Sequence, residues 1–418
     1  MHGFSSIREL PMVGETTSLK YPVEALPLAG VRVLDFTGSL GVYCGKLLAD
    51  VGCDVIKVEL PRGDDLRRRP PFRDSAPPGA DGLLFAYYNN NKRGITLDWT
   101  REEALPLLEE LSAVADVVLI SPDRRRPIAG LEDSPPYLSW LPMRTLLCSI
   151  TPYGLTGPWR GWRATSFTSF ASSGGMHPVG PDAGPPLAMP GQQLYDLTGV
   201  RAAILIVAAL AGDSRSRSQT IDIAAHDLGA WQRLVIERYS LIGRITTRET
   251  NFGPPPGGVW ECRDGFIDIA AHSARHWDMF VELLGSPEDL SEPLYRDRAM
   301  RAQLFDMLTT MIEHHIRDMS AHELVERGQA LGLPCALMYQ PEEFLDDLQP
   351  RERGTFVDIE HSLLGLLRMP GPAVHSSNKL LSYRRPAPTL GESNRDVYVE
   401  ELGRSVDELR EWSTRGLV

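Results

Sequence analysis

The chain has 418 residues, of which 42% are hydrophobic, so it is long enough to form two cores rather than one. Its 43 Lys and Arg residues against 55 Asp and Glu residues give a net charge of -12. That balance disfavours nucleic acid as a bulk partner, because binding it needs a broad basic face. The longest uninterrupted apolar stretch, Ala202 to Ala211, is too short to span a bilayer, so we expect no membrane span.

The cysteines and the N-terminal residues indicate the compartment. Five cysteines are scattered without C-x-x-C pairing and mostly within apolar runs, which predicts buried, reduced thiols and no zinc site. Residues 1–27 carry charged side chains and prolines but lack the apolar core of a signal peptide, so we interpret them as an N-terminal arm. These features are typical of a cytoplasmic enzyme.

The first predicted unit is strand, turn, helix and strand between Leu28 and Glu59. An apolar run, Val31–Phe36, meets a small-residue turn at Thr37-Gly38-Ser39, an apolar helical pattern follows, and the β-branched run Val55–Val58 closes the unit. This is the signature of a parallel βαβ unit. The turn would present helix-start amides at the carboxyl edge of a sheet, where a phosphorylated ligand can bind. Its glycine spacing, G-x-x-G-x-x-x-G, fits neither the dinucleotide fingerprint nor the P-loop, and an ordinary α/β core gives the same pattern.

Strand and helix patterns alternate up to about residue 231. Further strands are expected at Val117–Ile120, Leu146–Ile150 and Thr220–Ile223, and helices at Arg101–Val114 and Tyr195–Ala211. This alternation predicts a doubly wound, Rossmann-like parallel sheet with helices on both faces.

Beyond the Pro- and Gly-rich segment 251–258 the pattern changes to that of a smaller α+β domain. A hairpin, Val259–Glu261 with Phe266–Ala270, precedes helices at Arg275–Leu284, Ala299–Arg317 and Ala321–Leu331. A Pro-rich stretch, 370–388, leads to two C-terminal helices, Arg395–Leu402 and Val406–Trp412. We therefore assign residues 1–27 to the arm, 28–226 and 342–418 to a large domain, 227–257 to a linker and 258–341 to the small domain.

Short motifs follow one another in a characteristic order along the chain. After the first unit come PRGDDLRR, YNNNKRGITLDW, ADVVL, ITPYGLTGPWRGW, SSGGMHPVG, GVWECRDGFIDIAA, LGLPCALMYQPEEFLDD and RPAPTLGESNRDV. In this order and spacing they resemble the class III coenzyme A transferases, a superfamily that also contains the α-methylacyl-CoA racemases and related isomerases. The resemblance spans Leu28 to Val418.

The resemblance implies a fold, an assembly and an activity. The C-terminal segment would return to the large, CoA-binding domain, and two chains would thread through each other as an interlocked homodimer. The activity would be transfer of CoA from an acyl-CoA donor to a carboxylic acid acceptor. CoA thioesters and acids would be substrates, and no permanently bound cofactor is expected.

Asp196, in the motif GQQLYDLTG, is the central catalytic candidate. From the residues alone, a carboxylate at the start of an apolar helix is by default a capping residue. The resemblance implies another role: counted from Gly174, Asp196 stands where the transferases carry their nucleophilic aspartate. A carboxylate can attack an acyl-CoA thioester to give a mixed anhydride and CoA thiolate, and the returning thiolate gives an aspartyl-CoA thioester.

The resemblance also implies residues around Asp196. CoA-binding candidates are Gly38 and Ser39 in the first βα turn, Leu97 and Trp99 on an expected strand, and the basic residues Arg62, Arg124, Arg125 and Arg163. Arginine suits phosphates and Trp99 offers a face to adenine, although solvated charges and a half-buried strand aromatic are the ordinary alternatives. The backbone amides of Gly257 and Gly258 are candidate oxyanion donors, with a hairpin turn as the alternative.

Several positions depart from the family patterns. Leu40 and Phe167 stand where the formyl-CoA transferases carry Gln and Glu, and Val42-Tyr43 replaces a Gly-Pro pair. Less polar surroundings should raise the pKa of Asp196 and suit a greasier acyl group. They also keep open a non-catalytic CoA-binding homologue.

A second alternative is an acyl-CoA racemase. The racemases use a His-Asp pair where this chain has Thr165 and Ser166, and neither can act as a base near neutral pH, which disfavours that activity. His177, which follows the SSGG turn, remains a candidate to line the site.

Overall fold

A computed structural model divides the chain into two units, each with its own internal contacts. The structure describes residues 26–74, 77, 81–122, 129, 131–133, 136–181, 183–212, 219–231, 240–241, 243, 248, 253–378 and 380–418. The first unit comprises the described residues of Met1–Met176, Ala188–Arg233 and Glu352–Val418, and the second those of His177–Leu187 and Leu234–Arg351. Residues 177–187 and 342–351 thus lie in the second unit, whereas the sequence analysis assigned them to the large domain.

A six-stranded parallel sheet is the centre of the first unit, in the order β3-β2-β1-β4-β7-β8. The strands are β1 (Arg32–Asp35), β2 (Asp54–Glu59), β3 (Arg93–Thr96), β4 (Val117–Ile120), β7 (Leu146–Thr151) and β8 (Thr220–Ala224), with β5 (Leu131–Asp133) and β6 (Pro136–Leu138) forming a separate antiparallel hairpin. The central strands are buried on both faces, as expected for a parallel sheet covered by helices. The Rossmann-like α/β class predicted from the sequence is confirmed.

The strand order places a topological switch point between β1 and β4. From β1 the chain proceeds outward through β2 and β3, and it then returns to β4 on the other side and continues to β7 and β8. At such a point the loops leave the carboxyl ends of adjacent strands in opposite directions, which opens a crevice. The fold therefore positions a ligand cavity next to the turn that follows β1.

In the part of the chain that the structure describes, six helices up to residue 231 connect or cover these strands. They are α1 (Val42–Asp50), α2 (Leu83–Tyr88), α3 (Leu105–Ala113), α4 (Ser166–Ser172), α5 (Gln193–Ala211) and α6 (Ala225–Trp231). Among the described helices, α5 has the length and apolar composition of a membrane span. It is longer than the apolar run Ala202–Ala211 because the helix already begins at Gln193. Its buried face, however, packs in the core of the first unit.

One predicted strand position was wrong. Leu97 and Trp99 were expected on a strand, but β3 ends at Thr96. The backbone N–H of Leu97 still bonds Glu59 O, whereas that of Asp98 donates to Leu417 O at 2.6 Å. The chain leaves the sheet there because the C-terminal residues take over its hydrogen bonds.

The second unit combines a three-stranded antiparallel sheet with helices. Its elements are β9 (Gly258–Cys262), β10 (Gly265–Ile269), α7 (Ala274–Leu283), α8 (Arg298–Gln303), α9 (Phe305–Ile316), α10 (Ala321–Leu331), β11 (Cys335–Leu337), α11 (Pro341–Asp346) and α12 (Leu348–Glu352). The predicted single helix Ala299–Arg317 is divided at Leu304, whose backbone leaves the helical conformation (φ −100°, ψ 25°). The apolar spacing continues across this break, so periodicity alone does not reveal it.

The C-terminal segment belongs to the first unit. A hairpin of β12 (Phe356–His361) and β13 (Gly365–Pro370) precedes the π-helical segment Arg395–Glu401 and α13 (Val406–Thr414). Ser393 N donates to Gly94 O at 2.8 Å, and the Tyr398 hydroxyl donates to Thr96 O at 2.9 Å. Val397, Tyr398, Leu417 and Val418 are members of the same core cluster as the central strands. The chain therefore closes the large unit with its last residues.

Buried ion pairs hold the turn after β1. Asp35 ends β1 and is completely buried; its carboxylate accepts hydrogen bonds from Lys92 Nζ at 2.8 Å and from the backbone N–H and hydroxyl of Thr37. Lys57 Nζ donates to Thr37 O and pairs with Asp64 at 3.0 Å. Burial alone would raise the pKa of Asp35, but the neighbouring Lys92 and Lys57 ammonium groups outweigh it and hold that pKa below its ordinary value. Asp35 is thus a charged anchor for the turn.

We predict that Lys92→Met destabilises the chain by about 3–5 kcal/mol, because it leaves the Asp35 carboxylate buried without its principal cation. The double variant Asp35→Asn, Lys92→Met should regain much of this loss, since no uncompensated charge remains in the core. Urea unfolding followed by far-UV circular dichroism measures both effects.

The matched control is Arg410→Met, which removes a cation from an ion pair with Asp407 whose side chains are 75% and 90% exposed. Its effect should be about 0–1 kcal/mol. If Lys92→Met were no more destabilising than Arg410→Met, the anchoring role of the buried pair would be contradicted.

Candidate active site

A cavity of about 1000 Å³ opens in the first unit at the carboxyl edge of the parallel sheet. The loop after β1 contributes Gly38 and Ser39, and the loop after β4 contributes Ser121 and Pro122. The loop after β7 contributes the segment Pro152–Leu155. The start of α5 contributes Gln192, Gln193, Tyr195 and Asp196. This is the crevice that the switch point between β1 and β4 predicts.

Asp196 is the fourth residue of α5, and its side chain is not used as a cap. Gln192 occupies the N-cap position, and the backbone N–H of Asp196 donates to Gln192 O at 3.0 Å. The Asp196 carboxylate accepts a hydrogen bond from the Tyr88 hydroxyl instead, with O···O distances of 2.9 and 3.1 Å to its two oxygens. The capping alternative raised by the sequence is therefore wrong, and the carboxylate is available to the cavity.

Close packing between α1 and α5 sets the position of this carboxylate. Gly199 lies three residues after Asp196, on the same side of the helix. A Cβ at Gly199 would lie 2.8 Å from Cys44 N and 3.0 Å from Tyr43 Cβ, so only glycine lets the two helices approach this closely. The first turn of α5 is consequently held against the βα unit that forms the other side of the cavity.

The environment of Asp196 favours a poorly solvated carboxylate. Burial raises the pKa of Asp196 above its ordinary value, and hydrogen bonding to Tyr88 and Gln192 opposes this effect only in part. A carboxylate that has already lost part of its hydration needs less removal of water before it attacks a carbonyl carbon. The sequence-based expectation of a raised pKa at this position agrees with this direction.

Tyr88 is a site residue that the sequence analysis missed. It ends α2 and is buried, and its ring makes edge contacts with Tyr43 at 5.7 Å and Tyr87 at 5.2 Å between ring centroids. Tyr88 lies within the quoted motif YNNNKRGITLDW, but 108 positions separate it from Asp196. No local sequence signal pairs two residues so far apart.

Several of the predicted CoA-binding residues come together in the cavity. Gly38, Ser39, Trp99 and Arg163 all line it. Arg69, from the basic cluster DLRRRP, also lines it and donates from Nη1 to Ser39 Oγ at 2.9 Å. Lys57 and Arg160 also line the cavity, as do the acidic residues Glu59, Asp64 and Asp65, and Lys57 is paired with Asp64.

Other predicted residues lie elsewhere. The Arg62 side chain is exposed and is not part of the cavity lining, and Leu97 is fully buried in the hydrophobic core, so its side chain is not available to a ligand. Arg124 and Arg125 lie outside the described residues. Gly257, Gly258 and His177 belong to the second unit, where Gly258 opens β9 with a φ of 132°.

Some of the departures from the family patterns lie at the cavity, whereas Val42 and Tyr43 are not part of its lining. Leu40 and Phe167 both line it, and Phe167 is 58% exposed. Thr165 is the N-cap of α4 and forms a capping box with Thr168, so the Thr165 hydroxyl has a structural role. The wall beside them is aromatic: the Trp159 and Trp162 rings stack at 5.1 Å with an interplanar angle of 19°. Apolar and aromatic side chains thus form part of the cavity lining to which Asp196 also belongs.

The Rossmann-like unit and its cavity fit a class of enzymes that act on CoA thioesters, and comparison with known proteins identifies that class. The chain belongs to CoA-transferase family III, whose family model matches residues 28–394, and it is therefore an enzyme of that class. The family expected from the ordered motifs is confirmed.

Curated relatives and solved structures cover nearly the whole chain. The succinate–glutarate CoA-transferase of Agrobacterium fabrum is 31% identical over 391 residues, 90% of this chain and 95% of the relative. The succinyl-CoA:(R)-benzylsuccinate CoA-transferase subunit BbsE of Thauera aromatica is 29% identical over 382 residues, 88% and 93% of the two chains. The crystal structure of a CAIB/BAIF family protein from Brucella suis superposes with a TM-score of 0.78 at 26% identity, covering 90% of this chain and 99% of that one.

Proposed function

We propose that the protein moves coenzyme A from an acyl-CoA donor to a carboxylic acid acceptor through covalent intermediates on Asp196. The observation that carries this proposal is the Asp196 carboxylate itself, which lines the cavity, is partly desolvated and accepts its hydrogen bond from Tyr88 rather than capping its helix. The family membership supplies the overall reaction, and the geometry supports Asp196 as its nucleophile.

The proposed reaction consists of exchanges that balance without a redox partner. An oxygen of Asp196 attacks the thioester carbonyl carbon, the C–S bond breaks, and CoA thiolate leaves a mixed anhydride. The thiolate then attacks Cγ of Asp196, which releases the donor acid as a carboxylate and leaves an aspartyl-CoA thioester. An acceptor carboxylate then attacks Cγ of the aspartyl-CoA thioester, which expels CoA thiolate and gives a second mixed anhydride. The thiolate attacks the acyl carbon of the acceptor, which leaves as its CoA thioester and regenerates the Asp196 carboxylate. Thiolate is an acceptable leaving group because a thiol, although a weak acid, is far more acidic than an alcohol.

We propose CoA contacts for the residues of the cavity lining. The turn at Gly38 and Ser39 offers backbone amides, and the guanidinium groups of Arg69 and Arg163 suit the CoA phosphates. Trp99 offers a face for adenine. Oxyanion donation by Gly257 and Gly258 stays a proposal that rests on the family pattern.

The apolar lining supports an acyl group of low polarity. Leu40 and Phe167 replace polar residues of the formyl-CoA transferases, and both face the cavity that contains Asp196. The named substrates of the relatives, succinate, glutarate and benzylsuccinate, define a first panel of donors and acceptors. Apolar and aromatic monocarboxylic acids complete that panel.

We predict that Asp196→Asn and Asp196→Ala abolish CoA transfer while CoA affinity and fold are retained. An amide cannot form the anhydride, so the covalent route is lost entirely. Transfer is measured by liquid chromatography of the CoA thioesters after a screen of the panel has identified a working donor and acceptor for the wild type.

The matched control is Asp227→Asn, a change of the same kind at a carboxylate that is 80% exposed and outside the cavity lining. It should leave transfer unchanged. A fully active Asp196→Asn enzyme, after mass spectrometry has excluded deamidation, would contradict the nucleophile assignment.

We predict that racemisation of 2-methylacyl-CoA is absent or very slow. Thr165 and Ser166 occupy the positions of the racemase acid–base pair, and such groups contribute about 10²–10⁴-fold each. Incorporation of solvent deuterium at the α-carbon, followed by NMR, measures the reaction. Exchange at enzymatic rates would restore the racemase alternative.

We also propose that the enzyme is a cytoplasmic, interlocked homodimer. All five cysteines are free and buried, which suits a reducing compartment. Helix α5 exposes Ile204 and Val207, with 54% and 39% of their surfaces accessible in the single chain, and a second chain would cover this apolar face.

We predict a stable dimer at micromolar concentration in sedimentation-velocity experiments. Association would bury the exposed face of α5 between the chains. Each Å² of apolar surface withdrawn from water contributes about 25 cal/mol to the free energy of association. A folded monomer that persists at micromolar concentration would contradict the interlocked assembly.

A further inference from the structure

The Tyr88 hydroxyl lies at the centre of the proposed chemistry. It is 2.9 Å from Asp196 Oδ1 and 3.1 Å from Oδ2, so it reaches both oxygens of the group that becomes acylated. The Tyr88 side chain is buried, and its ring makes edge contacts with the rings of Tyr43 and Tyr87. A donor held in this way needs no reorganisation when charge develops on the neighbouring oxygen.

We propose that Tyr88 is a catalytic residue whose hydroxyl stabilises the oxyanion formed on Asp196 when its acylated carboxyl group is attacked. The inference rests on the proposed function, because it requires covalent intermediates at Asp196. In the anhydride and in the aspartyl-CoA thioester, one oxygen of Asp196 remains a carbonyl oxygen. Thiolate or acceptor carboxylate adds to Cγ, and the negative charge then develops on that oxygen next to the Tyr88 hydroxyl.

The role differs between the two kinds of step. In the resting enzyme the hydrogen bond stabilises the free Asp196 carboxylate, so it does not favour the first attack on the donor thioester. When Cγ is attacked, a weakly accepting carbonyl oxygen becomes a full oxyanion and the same hydrogen bond becomes stronger. Tyr88 should therefore accelerate the resolution of the intermediates rather than their formation.

Tyr88 donates without losing its proton. Burial, together with the Asp196 carboxylate, raises the pKa of the Tyr88 hydroxyl well above its ordinary value, so it remains a neutral donor throughout the reaction. Each tetrahedral intermediate collapses by expelling a carboxylate or a thiolate, and neither leaving group needs a proton. No proton acceptor beyond the substrates is required.

The local structure supports a fixed donor at this position. Tyr88 ends α2, and the next residue, Asn89, is tied down by its Nδ2 donating to Phe85 O at 3.1 Å and its Oδ1 accepting from Lys92 Nζ at 3.0 Å. The same Lys92 ammonium pairs with Asp35. Leu40, on the opposite βα turn, lines the cavity with a side chain that cannot donate a hydrogen bond.

The test is Tyr88→Phe, examined with the donor and acceptor established for the wild type. We expect kcat to fall by about 10²–10³-fold, as for the loss of one oxyanion donor. The adduct on Asp196 should still form and should accumulate, so that intact-mass spectrometry during turnover shows a larger covalent fraction than in the wild type. Because the hydrogen bond lowers the pKa of Asp196, the acid limb of kcat/KM should move to higher pH.

Tyr87→Phe is the matched control, since Tyr87 is the neighbouring tyrosine on α2 and is not part of the cavity lining. It should retain the wild-type kcat, adduct level and pH profile. Unchanged kcat in Tyr88→Phe, or loss of the adduct together with activity, would overturn the inference. If the wild-type enzyme transfers CoA without an adduct on Asp196, both the proposed function and this inference are overturned. If the wild-type enzyme forms the adduct and Tyr88→Phe behaves like the wild type, only this inference is overturned.

Discussion

The buried ion pair between Asp35 and Lys92 is the constraint on which the rest of the site depends. A charged, fully buried carboxylate at the end of a strand is tolerated only because a lysine and the Thr37 hydrogen bonds compensate it. The second buried lysine, Lys57, donates a hydrogen bond to the carbonyl oxygen of Thr37. The turn that follows β1 is thereby rigid before any ligand arrives, and a rigid turn is what a phosphate-bearing substrate requires.

Two close approaches connect this turn to the candidate site. The first is that of Gly199 to α1, which places the start of α5 against the βα unit. The second is the hydrogen bond from Tyr88 to Asp196, which joins α2 to α5. Lys92 connects both to the anchor, because it contacts Asp35, Val42 O and Asn89 together. The position of the proposed nucleophile is thus determined by a continuous network within one unit.

Sequence reasoning predicted the parts of this arrangement that local patterns encode. The strand Val117–Ile120 and the helix Ala321–Leu331 coincide with the observed elements, because periodicity and flanking turn residues define them. The end of β3 and the burial of Leu97 depend on contacts with the distant C-terminal residues, so they were not predictable. The break at Leu304 was not predictable because the apolar spacing continues across it. The hydrogen bond between Tyr88 and Asp196 was not predictable either, because Tyr88 reaches Asp196 only through the tertiary packing of α2 on α1 and α5.

The central claim is that Asp196 carries the acyl group and then CoA. The most direct measurement is peptide mapping by mass spectrometry after the enzyme has been incubated with an acyl-CoA donor and quenched with hydroxylamine. An aspartyl hydroxamate at Asp196, absent when the donor is omitted, is the predicted result, because hydroxylamine captures activated carboxyl groups. CoA transfer by the same preparation with an unmodified Asp196 peptide would contradict the account.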